Sequence, residues 1–182
     1  YDDLYASYHA MALAMMDQSP GEGVDAVIIE TCQDLLQAKC VVNACIDAQK
    51  ELGIRNTDRQ IPIFVSITIE QNGTMLVGAD VGAALTALAQ LPVSCIGMNC
   101  ATGPKEMTEH LQYLGNHCPV PVSVFPNAGL PTLVEGQTVF PMQPPAMAQQ
   151  VAELIEATGA CLVGGCCGTT PEHIKAIVDA VG

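Results

Sequence analysis

The chain has 182 residues, 49% of them hydrophobic and 14% charged, which is enough for one domain with a sizeable core and excludes a disordered segment. No apolar run reaches the ~18 residues that a membrane span requires, so we expect no membrane association. The net charge of −13 disfavours nucleic acid as a partner, because phosphate backbones are also negative.

Predicted helices and strands alternate along the chain. Apolar residues at helical spacing predict a first helix over residues 1–17, and Ser19-Pro20-Gly21 then breaks the pattern. Short β-branched or apolar runs predict five strands, over residues 24–30, 61–69, 95–98, 120–125 and 160–163. Helical patterns follow these strands, over residues 32–52 and 80–91, from Pro104 onward, over 145–158 and from Pro171 onward. The Asn72-Gly73 pair is a hairpin-type turn signal.

The alternation of strands and helices indicates βαβ units and therefore an α/β fold with parallel strands. The last three predicted strands contain no charged residue, as expected where both faces of a sheet are covered. Two architectures fit this pattern: an open, doubly wound sheet, or part of an eight-stranded (β/α)8 barrel. A complete barrel typically needs about 250 residues, which is more than this chain has.

Nine cysteines is a high count, but a disulfide scaffold would favour an even, regularly spaced set. The odd number and the apolar surroundings of several cysteines suit a reducing cytoplasm instead. Most of them are predicted to pack as small hydrophobic side chains. These are Cys32, Cys40, Cys45, Cys95, Cys118 and Cys161. A thiol redox role is less favoured, because the sequence has no Cys-x-x-Cys motif.

The other three cysteines follow predicted strands. Because the carboxyl ends of parallel strands meet at one edge of a sheet, Cys100 and the Cys166-Cys167 pair should converge there. Three thiolates with an open fourth position are typical of a catalytic zinc. Glycines on both sides of the pair, Gly164, Gly165 and Gly168, would let the strand stop and turn. We also expect the positive end of the last helix to favour thiolates.

Three polar side chains should share this edge, namely Glu30, Asn99 and Asn127. From the residues alone, Glu30 is equally well explained as a solvated carboxylate and Asn127 as a turn former. The four histidines lie on or near predicted helices, and we interpret them as surface residues. They are His9, His110, His117 and His173.

Two segments, GGCCGTTPEHI (164–174) and GMNCATGP (97–104), resemble the homocysteine methyltransferase family. Two more, IETCQDLLQAK (29–39) and PNAGLP (126–131), are most similar to the homocysteine-binding module of cobalamin-dependent methionine synthases. The resemblance covers essentially the whole chain. One departure from the family pattern is residues 19–22, which look like a small insertion before the first strand.

The resemblance implies a (β/α)8 TIM barrel, of which this chain would carry about the last five strands. Residues 1–182 would then be the C-terminal part of one homocysteine-binding barrel domain, with its N-terminal strands absent from the chain. It also implies Zn²⁺ held by Cys100, Cys166 and Cys167. We expect Glu30 and Asn99 to bind the substrate, and Glu30 and Asn127 to take part in catalysis.

The implied reaction activates homocysteine as a thiolate and transfers a methyl group to it from methylcobalamin, which gives methionine. Methylcobalamin would be bound by another domain, so folate- and cobalamin-binding domains of the same protein are the implied partners. Three alternatives stay open at this point. The donor could be betaine or S-methylmethionine, the chain could be a non-catalytic zinc-binding module, or it could be a thiol redox protein.

Overall fold

A sheet of five parallel strands forms the centre of the structure, a computed structural model that describes residues 1–17 and 23–182. In chain order the sheet strands are β1 (Val27–Cys32), β2 (Ile63–Ile67), β3 (Cys95–Asn99), β4 (Val122–Phe125) and, after a separate hairpin, β7 (Leu162–Val163). Their spatial order is β1-β2-β3-β4-β7, and every neighbouring pair is parallel. The predicted α/β fold with five parallel strands is therefore confirmed.

Six helices accompany the sheet in the described part of the chain. They are α1 (Asp2–Met16), α2 (Leu35–Glu51), α3 (Val81–Leu88), α4 (Pro104–His117), α5 (Pro144–Thr158) and α6 (Pro171–Val181). The side chains of Asp34 and Asp80 cap α2 and α3 by accepting backbone N–H groups, and proline begins each of α4, α5 and α6. None of the described helices has the length and apolar character needed to cross a bilayer.

The core lies between the sheet and the helices, and it consists mainly of aliphatic and methionine side chains. A smaller apolar cluster joins Ala128 to α5 and α6. Because all five sheet strands run in one direction, their carboxyl ends open onto the same edge. Loops of very different sequence position are thereby brought together at that edge.

Several predicted boundaries need correction. The first strand was expected over residues 24–30 but spans Val27–Cys32, because a one-residue irregularity lets it continue past Glu30. Asn72-Gly73 does form a tight turn, in which Gly73 N–H donates to the Glu70 carbonyl, but the residues around it, 68–80, form an irregular loop instead of a hairpin. The predicted break at Ser19-Pro20-Gly21 and the insertion over residues 19–22 lie outside the described residues.

A two-stranded antiparallel hairpin was not predicted. Its strands are β5 (Thr132–Val134) and β6 (Gln137–Val139), and all six strand residues are exposed. Glu135 and Gly136 both have positive φ, 50° and 79°, which is the signature of a tight hairpin turn of type I′. The sequence Glu-Gly is a weaker signal for this turn than Asn-Gly or Asp-Gly, and this explains why the hairpin was missed.

Candidate metal centre

One side of the site is formed by a β-bulge in β1. Ile29 pairs with Val65 and Cys32 with Ile67, so three steps along β1 match only two along β2. The extra residue leaves both Glu30 and Thr31 exposed and places Thr31 in the left-handed region with φ 55°. Such bulges redirect side chains at the ends of strands. Here the bulge turns two consecutive polar residues away from the core.

Cys100 lies in a tight turn directly after β3. Cys100 and Ala101 have φ of 64° and 61°, two consecutive non-glycine residues in the left-handed region. Such a conformation is unfavourable for residues with a Cβ and persists only when surrounding contacts hold it. The contacts are backbone hydrogen bonds from Cys100 N–H to the Phe125 carbonyl and from Asn127 N–H to the Thr102 carbonyl.

The loop after β7 carries the other two thiols, and its glycines are required by close packing. A Cβ at Gly164 would lie 2.7 Å from the ring of Phe125. At Gly168, φ is 77° and a Cβ would overlap the side chain of Phe140. Because glycine occupies these positions, the chain can turn sharply at Cys166 and Cys167, as the sequence predicts. A hydrogen bond from Cys166 N–H to the Pro126 carbonyl holds the loop in place.

These loops bring the three predicted thiols together. The Sγ atom of Cys167 lies 3.7 Å from that of Cys100 and 3.9 Å from that of Cys166, and all three Sγ atoms lie within 4.8 Å of one another. A tetrahedral zinc with Zn–S bonds of about 2.3 Å separates its sulfur ligands by about 3.8 Å. The spacing of the sulfurs therefore fits a zinc ion with three thiolate ligands and one further position.

The vicinal thiols, Cys166 and Cys167, resist ionisation without a cation, because their pKa values are raised. Burial raises the pKa of Cys166, and the nearby sulfur of Cys100 adds to the effect. Desolvation, together with hydrogen bonding to Cys100, raises the pKa of Cys167 to about 12. We expected the N-terminus of α6 to favour thiolates, but desolvation and mutual repulsion of the sulfurs outweigh it. A metal ion reverses this balance by neutralising the thiolates.

The two asparagines are buried, at 1% exposure for Asn99 and 3% for Asn127. Oδ1 of Asn127 accepts the N–H of Cys167 at 3.1 Å. Asn99 lies beside the cluster, and its Nδ2 donates to Sγ of Cys166 at 3.8 Å. Both side chains thus support the loops that carry the thiols.

Glu30 is exposed on the β1 bulge, next to Thr31, and Thr31 is hydrogen-bonded to the side chain of Asn99 beside the thiols. Cys32 and Cys45 behave as the packing residues that we expected, since burial raises the pKa of each to about 11. Cys161 differs from expectation, because it is exposed at the start of β7. Its Sγ still lies 3.6 Å from the Val122 carbonyl.

His173 also differs from the prediction of a surface residue, since it is only 6% exposed. Its Nδ1 accepts the N–H of Thr170 at 3.2 Å, and its Nε2 lies 2.9 Å from the Met142 carbonyl. The ring thereby closes the first turn of α6 and ties it to the segment after the hairpin. The Thr-Pro-Glu start of α6 indicated a cap, but an imidazole in place of the usual Glu or Gln gave no recognisable signal.

Sequence reasoning missed three small polar residues that surround Asn99, namely Thr31, Ser66 and Thr68. Ser66 and Thr68 lie in or just after β2, are 1% exposed, and hydrogen-bond to the side chain and backbone of Asn99. A signal was available in the sequence. Two hydroxyl residues at alternate positions of an otherwise apolar buried strand need a polar partner.

Comparison with known proteins identifies the family of this chain. The homocysteine S-methyltransferase family matches the chain over residues 1–181. Methionine synthases of Mycobacterium leprae and Mycobacterium tuberculosis are 50% and 49% identical to it over 175 residues, which is 96% of this chain. The chain spans 14% of the length of each of these relatives.

The fold is shared with solved structures of the Escherichia coli homocysteine methyltransferase MmuM. The apo form aligns with a TM-score of 0.65 at 21% identity, covering 97% of this chain and 57% of that one. The metallated form aligns with a TM-score of 0.66 at 23% identity, covering 95% and 51%. With the family pattern matched almost from end to end and the three thiols gathered at the strand ends, the chain belongs to the homocysteine S-methyltransferase family.

Proposed function

We propose that this chain is the homocysteine-binding module of a zinc- and cobalamin-dependent methionine synthase. It would bind homocysteine as a thiolate and present it for methyl transfer from methylcobalamin, which gives methionine. The observation that carries the proposal is the cluster of Cys100, Cys166 and Cys167, whose sulfur spacing suits a tetrahedral zinc. The two mycobacterial methionine synthases, about half identical to this chain, support this choice within the family.

The metal would be held by the three cysteine thiolates, which leave one tetrahedral position for the substrate sulfur. Bound zinc would supply the positive charge that keeps a fourth sulfur deprotonated and nucleophilic at neutral pH. The chain's own part is to hold the three ligands at fixed spacing. It does so through the turn at Cys100 and through the hydrogen bond that Cys167 N–H donates to Oδ1 of Asn127. We also propose that Asn127 takes part in catalysis.

Glu30 would bind the ammonium group of homocysteine. It is exposed on the bulge of β1, next to Thr31, which is hydrogen-bonded to the side chain of Asn99 beside the thiols. A carboxylate there forms a charge-assisted hydrogen bond with the ammonium group, which is among the stronger polar contacts available. The substrate would thus be held at both ends, by its sulfur and by its amino group.

The chain would form about the last five strands of an eight-stranded barrel. In support, 97% of the chain aligns with only 57% of the E. coli enzyme, and β1 and β7 each have a sheet neighbour on one side only. Since the chain spans only 14% of the mycobacterial relatives, we place the folate- and cobalamin-binding domains elsewhere in the same protein. A reducing cytoplasm suits the proposal, since the metal site needs its three thiols free.

The test is metal content together with donor choice. We expect one zinc per chain in the intact protein, lost in Cys166→Ala and kept in Cys161→Ala, which removes an exposed thiol from the start of β7 instead. Methyl transfer to homocysteine is then measured with methylcobalamin, betaine and S-methylmethionine. Activity with betaine or S-methylmethionine, and none with methylcobalamin, would show that the proposed donor is wrong. Zinc binding without methyl transfer from any donor would show that the chain is a non-catalytic zinc-binding module. Full zinc content in Cys166→Ala would contradict the metal site itself.

A further inference from the structure

The bulge in β1 removes the backbone N–H of Thr31 from the sheet, and the side chain of Asn99 accepts it instead. The extra residue displaces the N–H of Thr31 from the ladder between β1 and β2, and a backbone donor left without a partner is costly. Oδ1 of Asn99 accepts this N–H at 2.9 Å, across a sequence separation of 68 residues. Asn99 therefore holds Thr31 in its left-handed conformation and, through the chain, fixes the neighbouring Glu30.

The same amide contacts the metal cluster. Its Nδ2 donates to Oγ1 of Thr31 at 2.8 Å and to Sγ of Cys166 at 3.8 Å, while its Oδ1 also accepts the hydroxyl of Ser66 at 2.8 Å. The orientation of the amide is set by these partners, because a flipped amide would direct its NH2 group at the N–H of Thr31. All four hydrogen-bonding positions of the side chain are used.

These contacts leave Asn99 no free donor or acceptor for a substrate, and it is 1% exposed. We propose, on the basis of the function proposed above, that Asn99 is a positioning residue: one amide that couples the metal ligand Cys166 to the bulge that presents Glu30. In this role it does not touch the substrate. It sets the relation between the two places where homocysteine is held, its sulfur at the metal and its ammonium group at Glu30.

The physical basis is the N–H···S hydrogen bond. A donor directed at a thiolate removes some negative charge from the sulfur, and the bond is strong where water is excluded. Partners of this kind orient metal ligands and tune the metal, and their loss typically costs ten- to a hundredfold in affinity or activity. Here the same NH2 group also holds Thr31, so a change at Asn99 should affect the metal and the substrate together.

The decisive variant is Asn99→Asp in the intact protein. Aspartate has nearly the same shape, and one of its oxygens still accepts from Thr31 N–H and Ser66, but an oxygen now replaces the NH2 group beside Cys166. We expect zinc to be released about tenfold faster to a chelator. In the Co²⁺-substituted protein, the thiolate-to-metal charge-transfer band should move to lower energy. The KM for homocysteine should rise.

Two further variants separate positioning from general loosening. Ser66→Ala removes a bond to Oδ1 and leaves the contact with Cys166, so its charge-transfer band should match that of the unmodified protein. Thr31→Val removes only the Oγ1 acceptor, so we expect a higher KM with an unchanged band. If Asn99→Asp retains the unmodified band and zinc release rate, the inference is overturned. If the unmodified protein shows no thiolate-to-Co²⁺ band at all, the proposed function fails instead.

Discussion

The backbone N–H of Cys167 donates to Oδ1 of Asn127 across a separation of 40 residues, at a distance of 3.1 Å. A second bond runs the other way, from Ala128 N–H to the carbonyl of Cys167. The loop after β4 thus clamps the loop that carries the vicinal thiols. The geometry of these thiols depends on Asn127 as well as on the glycines around them.

Asn127→Ala should therefore loosen the metal site without removing a ligand. The backbone N–H of Cys167 would lose its side-chain partner, and a hydrogen bond of this kind contributes about 0.5–1.5 kcal/mol. We expect zinc release to a chelator to accelerate by up to about tenfold, since about 1.4 kcal/mol corresponds to a factor of ten. Asn116→Ala, on the exposed side of α4, is the matched control. An unchanged release rate in Asn127→Ala would show that the clamp is unimportant.

Glu30→Gln should weaken homocysteine binding and leave the zinc content intact. A charge-assisted hydrogen bond contributes about 1.5–3 kcal/mol, so affinity should fall roughly ten- to a hundredfold. The measurement is homocysteine titration of the zinc-loaded protein. Glu109→Gln, an exposed carboxylate on α4, should bind homocysteine normally. Equal affinity in the two variants would return Glu30 to the status of a solvated surface carboxylate.

Zinc affinity should rise steeply with pH. Because the pKa values of Cys166 and Cys167 are raised, that of Cys167 to about 12, both thiols carry protons in the metal-free protein at neutral pH. Zinc must displace these protons, so its affinity falls as pH falls. The two protons of Cys166 and Cys167 alone change the apparent affinity by up to about a hundredfold per pH unit. Calorimetry in buffers of different ionisation enthalpy counts the protons, and zinc binding with no proton release would contradict the assignment.

Gly168→Ala should destabilise the protein and its metal site together. The left-handed backbone costs a residue with a Cβ about 1–2 kcal/mol, and overlap with Phe140 adds about 1–3 kcal/mol. Gly53→Ala is the matched control, because Gly53 also has positive φ, 66°, but has open space where its Cβ would lie. Urea denaturation compares the free energy of unfolding of the two variants. If the free energy of unfolding falls equally in the two variants, the contact with Phe140 does not contribute to the destabilisation.

The parallel sheet and the convergence of the three thiols could be predicted from the sequence, because both follow from the periodicity of the strand and helix patterns. Alternating strand and helix patterns determine parallel pairing, and parallel pairing brings all carboxyl ends to one edge. Cys100 and the Cys166-Cys167 pair could therefore be expected to converge without any knowledge of distances. The resemblance to the methyltransferase family identified the same residues independently.

What could not be predicted depends on register and on single side chains. The bulge at Glu30 and Thr31 arises from a mismatch between β1 and β2 that neither strand reveals alone. His173 is buried, and its Nε2 contacts the carbonyl of Met142, 31 residues away. Long-range contacts of this kind carry no local pattern. The hydroxyl groups of Ser66 and Thr68 indicate that a polar partner is needed, but only the folded chain identifies that partner as Asn99.

The distance along the chain between the thiols has a consequence for biosynthesis. Cys100 and Cys167 are separated by 67 residues. At a translation rate of roughly 5–20 residues per second, Cys167 emerges about 3–13 s after Cys100. Throughout that interval the metal has too few ligands to be captured, and the turn at Cys100 lacks the loop that covers it. On the proposed function, zinc loading would therefore follow synthesis of the loop after β7, which supplies two of the three ligands.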